Sequence, residues 1–244
     1  MEKPVHFHVD TLESTNLSLW QLSEDKILGN FYTVSAGFQH RGRGQDENYW
    51  ESTKDQNILM TTMVYPHFLL AENVFQISRW VSLSVVDYLK QKGLSNLHIK
   101  WPNDIYVGPK KIAGILIQNA ICGHDLDKSM IGIGLNVNQT KFYSNAPNPI
   151  SLQQITDTQY VIVNEINELL VCLQREYSVL QNQPQKIISK YLDLLYQKDE
   201  WCYYQIGEER TKAKIHGVDQ FGRLQLEKFN GIIDVFDIKE IRFL

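Results

Sequence analysis

The stretch that decides the fold runs from His98 to Ala120, HIKWPNDIYVGPKKIAGILIQNA. His98 to Trp101 reads as a short strand, stopped by Pro102 because proline lacks a ladder donor and biases the preceding residue to extended geometry. Asn103-Asp104 turns the chain into Ile105-Tyr106-Val107. A second turn at Gly108-Pro109 returns it through Lys110-Lys111 into Ile112 to Ala120, which is largely apolar and so predicted central in a sheet. Beyond a hairpin turn at Gly123-His124-Asp125, Ser129 to Val137 follows as another buried strand. Strands in such succession, without the βαβα alternation of a doubly wound sheet, predict an α+β domain with a mixed or antiparallel sheet and packed helices.

Working outward, Ala71 to Lys92 carries Val74, Ile77, Val81, Val85 and Tyr88 at steps of three and four, the spacing of an amphipathic helix packed on the sheet. Phe31 to Ala36 and Asn57 to Val64 read as strands that hold the loop between them at both ends. Val5 to Asp10 is a short strand with His6 and His8 on one face; with no further ligand nearby, a solvated strand face is the better reading than a metal site. Ser14 or Thr15 can cap a helix that continues through Leu17, Leu19, Trp20 and Leu22. Towards the carboxyl end, Ile166, Leu169, Leu170, Leu173, Tyr177 and Leu180 mark a helix, and a shorter one covers 186–195. From Lys198 the pattern changes to short strands punctuated by Gly217, Gly222 and Gly231, a small β-barrel of about 45 residues. The expected division is 1–197 and 198–244.

Composition bounds the function. A chain of 244 residues with 43% apolar content can bury a sizeable core, and a formal charge of −4 argues against a general nucleic-acid binder. The start has no apolar signal segment and no run approaches the ~20 apolar residues of a membrane span, so a soluble, cytoplasmic protein is expected. Cys122, Cys172 and Cys202 are far apart and form no CxxC, which leaves free thiols as the default.

Four stretches carry chemistry. Gln39 to Trp50, QHRGRGQDENYW, packs glycines that let backbone approach a ligand beside arginine forks suited to carboxylate or phosphate; as a bland alternative it is a solvated hairpin tip. Lys100 to Asp104, KWPND, fixes a cation, an aromatic plane, an amide and a carboxylate at a sheet edge, either a Mg²⁺-nucleotide site or a polar tight turn. In Lys111 to Leu116, KIAGIL, the lysine is a point charge for a substrate carboxylate or an ordinary snorkelling side chain. Ile131 to Asn138, IGIGLNVN, has Val137 where a dinucleotide fingerprint wants its third glycine, so its paired glycines are expected to make space for a flat ligand, with Asn136 offering donor and acceptor to a base edge.

In this order, and together with Ser14-Thr15-Asn16, these stretches resemble the biotin protein ligase family over essentially the whole chain from residue 10 onward. The resemblance implies the class II synthetase or biotin/lipoate ligase type of fold, with 198–244 as an SH3-like barrel. It implies formation of biotinyl-5′-AMP from biotin and ATP with Mg²⁺, then transfer of biotin to one lysine of a biotin carboxyl carrier domain of a carboxylase. Ser14, Thr15, Gln39, Gly42, Arg43, Lys111 and Gly114 match biotin-binding positions, with Lys111 and Arg43 as the catalytic pair. Trp50, Asn103 and Asn136 match positions around the nucleotide, and Asp104 matches the metal ligand. Two departures stand out. Gln45, Asp46 and Glu47 replace a run of arginines, so Gln45 keeps a place near ATP without a charge and Arg41 is the expected source of the missing cation. The catalytic pattern also begins within the first residues, so no operator-binding domain, no DNA partner and no repressor function are expected; the chain is a monomer or a homodimer. The rival readings are a lipoate ligase or octanoyltransferase on the same fold, and a non-catalytic biotin-binding module.

Overall fold

The computed structural model describes residues 4–44, 49–144 and 148–244. Its centre is a seven-stranded sheet in the order β1-β2-β3-β7-β6-β5-β4. The strands are β1 (His6–Leu12), β2 (Tyr32–Gln39), β3 (Asn57–Val64), β4 (Leu97–Lys100), β5 (Asp104–Val107), β6 (Lys110–Cys122) and β7 (Asp125–Asn136). Every pairing is antiparallel except β1 with β2, which run parallel because helix α1 (Thr15–Asp25) connects them as a crossover. The stretch 98–120 forms β4, β5 and most of β6, as its turns predict. β6 and β7 make the long central hairpin, turned at Gly123 with a positive φ of 63°.

The sheet is covered on both faces, which explains why all eight residues of β3 are buried. On one face Ile58, Met60 and Val64 join a large core with α2 (Phe75–Gln91) and α4 (Ile162–Asn182), in which Trp80 and Tyr88 are fully buried. On the other, Met63 packs with Leu19 of α1, Leu28, Val34 and Met130 in a small separate core. α5 (Pro184–Asp193) begins with proline in its first turn, where a missing N–H costs nothing. Several short elements were not anticipated from sequence. The short α3 (Leu152–Thr156) was missed although its capping box of Ser151 and Gln154 is a visible signal. Strand β8 (Trp201–Ile206), where aromatic and polar residues gave no clean alternation to read, was missed too, as was the last strand at Ile241–Phe243.

β8 opens a second, five-stranded antiparallel sheet of SH3-like type in the order β11-β10-β9-β8-β12, with β9 (Glu209–Val218), β10 (Leu224–Glu227), β11 (Ile233–Phe236) and β12 (Ile241–Phe243). Its inner residues Tyr204, Ile215, Leu224 and Leu226 belong to the same continuous core as α2 and α4. The join is also polar. Arg79 of α2, 3% exposed, donates from Nη2 to the carbonyls of Val218 (3.0 Å) and Asp219 (2.8 Å). Among the described residues no helix is long and apolar enough to cross a membrane.

Candidate active site

A cavity of about 490 Å³ opens over the β6–β7 hairpin, where the first turn of α1, the loop after β2 and the β4–β5 turn converge. Ser14 occupies the N-cap position of α1 with extended backbone, yet its hydroxyl makes no capping bond. The expectation of a hydroxyl cap is thus half right: the helix starts there, but Ser14 makes no capping bond and is one of the residues that line the cavity. Gln39, 6% exposed, accepts from the Thr15 backbone N–H at 2.7 Å and from the Thr15 hydroxyl at 3.0 Å. Its carbonyl is therefore committed, and its amide –NH₂ is the end left for a ligand. The Thr15 hydroxyl lies 2.8 Å from that of Thr61, which also bonds the Asn16 amide oxygen. A Cβ at Gly132 would come within 2.3 Å of that Asn16 oxygen, so the glycine is there to admit the Asn16 amide.

The Lys111 ammonium, at the mouth of β6, meets the Asp104 carboxylate at 2.7 Å, and both side chains line the cavity while remaining partly exposed. Lys100 stands behind them, in the field of Asp104 and Lys111. Burial lowers its pKa, Asp104 opposes that shift and Lys111 adds to it. Asn103 and Asn136 also reach the cavity wall, and each spends one amide N–H on backbone: Asn103 Nδ2 on the Ile115 carbonyl, and Asn136 Nδ2 on the Ile150 carbonyl at 3.1 Å. Asn136 keeps its carbonyl oxygen and its second N–H for a ligand.

Gly114 and Gly134 are direct cross-strand partners and make a flat floor. The indole of Trp50 lies on it. An added Cβ would stand 2.9 Å from Trp50 Cζ3 at Gly114 and 2.4 Å from Cε2 at Gly134. The expected flat occupant of the glycine-lined space is therefore, here, the chain's own tryptophan. Its indole N–H is buried without a hydrogen-bond partner among the described residues, and Lys111 Nζ sits 5.6 Å from its ring centroid. The loop returns to this point because Trp50 N–H donates to the Gly42 carbonyl at 3.0 Å, and a side chain at Gly42 would strike the Trp50 carbonyl.

Arg43 lines the cavity, and among the described residues no carboxylate pairs with it. Arg41 does not line it; its guanidinium meets Glu13 at 3.1 Å on the exposed surface. The assignment of Gln45, with Asp46 and Glu47, lies outside the described residues. Sequence reasoning also passed over Glu51, whose carboxylate accepts from the Tyr143 and Ser144 backbone N–H groups and ties the loop to the far wall. Burial alone would raise its pKa, but these hydrogen bonds outweigh it and hold the group below its ordinary value. Among the described residues no group of three or more metal-ligating side chains exists. Asp104 by itself fits Mg²⁺ arriving on a nucleotide, because that ion keeps its waters and takes one or two carboxylates plus phosphate oxygens.

Residues 10–136 match the model of the biotin/lipoate A/B protein ligase family. The chain belongs to that family. Among its relatives is the bifunctional ligase/repressor BirA of Bacillus subtilis, 27% identical over 93% of this chain and 70% of the relative. Biotin–protein ligase 1 of Arabidopsis thaliana is 32% identical over 47% of this chain and 34% of its own length. The fold agrees with biotin protein ligase from Aquifex aeolicus in complex with biotin and ATP, at a TM-score of 0.81 and 21% identity, covering 98% of this chain and 99% of that one. It also agrees with the Leishmania major biotin protein ligase in complex with biotinyl-5-AMP, at a TM-score of 0.66 and 18% identity over 96% of this chain and 99% of that one. Family membership makes the cavity over β6 and β7 the place to look for chemistry.

Proposed function

We propose that the chain is an ATP-dependent biotin protein ligase. The biotin carboxylate attacks the α-phosphorus of ATP, the bond to the β-phosphate breaks, and biotinyl-5′-AMP and pyrophosphate result. An acceptor lysine amine, having lost a proton, then attacks the acyl carbon and expels AMP. The observation that carries the reading is the Lys111–Asp104 pair at 2.7 Å, facing the same cavity as the Ser14, Thr15 and Gln39 polar cluster. One end of that cavity can hydrogen-bond an uncharged ureido ring, and the other holds a cation and a carboxylate next to each other.

The division of labour follows from the bonds already made. The Ser14 hydroxyl and the Gln39 amide –NH₂ bind the ureido group. Lys111, exchanging Asp104 for substrate, places its charge against the biotin carboxylate and then against the developing charge at phosphorus, together with Arg43. Two anions held within attack distance repel each other, so positioning and fixed positive charge supply most of the catalysis. Asp104, released by Lys111, would hold Mg²⁺, which would supply charge neutralisation at the phosphates. The Asn136 carbonyl oxygen accepts from the adenine amino group, and the backbone near Gly42 and Gly114 walls the biotin site. Arg41, paired with Glu13 outside the cavity, needs a new rotamer to reach phosphate.

We assign 1–197 as the catalytic unit and 198–244 as an appended SH3-like unit. The acceptor is a biotin carboxyl carrier domain, the setting is the cytoplasm, and a net charge of −4 supports a ligase without operator binding. Biotin-dependent exchange of pyrophosphate into ATP, followed by labelling of a carrier domain, tests the proposal. Exchange driven by lipoate and not by biotin would assign the chain to the other branch of its family.

A further inference from the structure

Two residues of the turn that carries Asn103 and Asp104 are gripped from the second sheet, at separate points. The Trp101 side chain, 5% exposed, donates its indole N–H to the Gly222 carbonyl at 2.8 Å. Its neighbour Lys100 rests its ammonium 5.1 Å from the ring centroid of Phe243 on β12 and 5.2 Å from that of Tyr106. The accepting carbonyl is itself fixed. Gly222 has φ of +90° in a turn where Asp219 accepts from the backbone N–H groups of Phe221 and Arg223, and a Cβ there would come within 2.4 Å of the Phe75 ring. The same turn is latched to α2 by the Arg79 guanidinium through the Val218 and Asp219 carbonyls. From the other side Tyr191 of α5 reaches the Pro102 carbonyl at 3.4 Å.

We infer that Trp101, Phe243 and the 219–223 turn form a clamp by which the SH3-like sheet positions Asp104 for the nucleotide, Trp101 and Phe243 being positioning residues that touch no substrate. This rests on the function proposed above and adds a role for the second sheet to it. The turn is short, so a tilt at Trp101 is passed directly to Asn103 and Asp104, whereas Lys111 stands on β6 and exchanges Asp104 for the biotin carboxylate when substrate binds. The first turn of α1 with Ser14, Thr15 and Gln39 lies across the cavity and is held by Thr61, on bonds the clamp does not share. The clamp therefore sets affinity for Mg-ATP and leaves biotin binding alone.

The test uses the full chain with Trp101→Phe, which deletes the N–H and keeps an aromatic ring, and Phe243→Leu, which removes the ring beneath Lys100. Affinities for biotin and for Mg-ATP are measured separately by calorimetry, with thermal melting alongside. The expected result is that each variant weakens Mg-ATP by about tenfold while biotin affinity stays within about twofold. The double variant should lose less than the product of the two, because both act on one turn. Equal loss of biotin and Mg-ATP affinity, in step with the melting temperature, would show a merely structural role and overturn the inference. So would unchanged Mg-ATP affinity in both variants. A wild-type chain that binds neither ligand would overturn the functional reading as well, which separates that failure from failure of the clamp alone.

Discussion

At the level of single residues, the site depends on groups whose partners are already placed. Lys111→Ala removes a preorganised cation and strands Asp104 beside the cavity, and should cost adenylation about 2–4 kcal/mol by analogy with other charge-stabilising groups; pyrophosphate exchange kinetics measure it directly. Gly132→Ala probes the biotin end, because its Cβ would lie 2.3 Å from Asn16 Oδ1 and must push that amide off Thr61. Thr61 also bonds Thr15, which fixes Gln39, so biotin affinity should fall by about tenfold, or ~1.4 kcal/mol, and a calorimetric constant equal to wild type would refute that link. Residues such as Lys111, Gln39 and Asp104 were singled out by the family resemblance, because their local context alone left a snorkelling lysine, a polar tight turn or a solvated hairpin tip open. Asn16 and Thr61 are not legible. A threonine within Asn57–Val64 reads only as a strand former, and nothing local says that its hydroxyl meets Thr15 across α1. The paired glycines at 132 and 134 announced a flat gap, but not that Asn16 and Trp50 stand over them.

At the scale of elements, helices deliver the site by their packing. α1 is held by the small core of Leu19, Leu28, Val34, Met63 and Met130, so Leu19→Ala, at a fully buried position, should destabilise the fold by roughly 2–5 kcal/mol and loosen the turn carrying Ser14 and Thr15. Urea unfolding with parallel biotin titration checks both effects. α2 and α4 are locked by Lys92, which meets the Glu165 carboxylate at 2.5 Å and that of Glu168 at 2.7 Å, while the Tyr88 hydroxyl bonds Glu165 as well. Burial alone would lower the Lys92 pKa, but hydrogen bonds and attraction from the two glutamates outweigh it and raise the value above the ordinary 10.5. A raised folded-state pKa contributes stability that is fully present below the unfolded value and is lost as pH rises through the folded one. Lys92→Met leaves Glu165 buried and unpaired at a cost of about 3–5 kcal/mol. The gap from wild type should be constant across neutral pH and should narrow only above the ordinary lysine range; a gap that narrows between pH ~6 and ~8 would contradict the linkage.

Over the whole molecule, the order of elements was readable because each turn has its own chemistry: proline at 102 and glycines at 108 and 123 punctuate the apolar strands. The parallel placement of β1 beside β2 was not, since strand order depends on where α1 packs and no local signal carries it. The change of pattern near 198 marks the second sheet, but the sequence gives no sign that its core runs on into that of α2 and α4, or that Arg79 and Trp101 are bonded to it. One continuous core predicts a single cooperative melting transition by calorimetry for the full chain, where two resolved transitions would show units that fold independently.

The most direct test of the central claim is pyrophosphate exchange into ATP by the purified full chain, with biotin and lipoate compared at equal concentration and Lys111→Ala run in parallel. Exchange that requires biotin, is not supported by lipoate and collapses in the lysine variant is the predicted result. Absence of exchange at saturating biotin and Mg-ATP, or full exchange by Lys111→Ala, would contradict it.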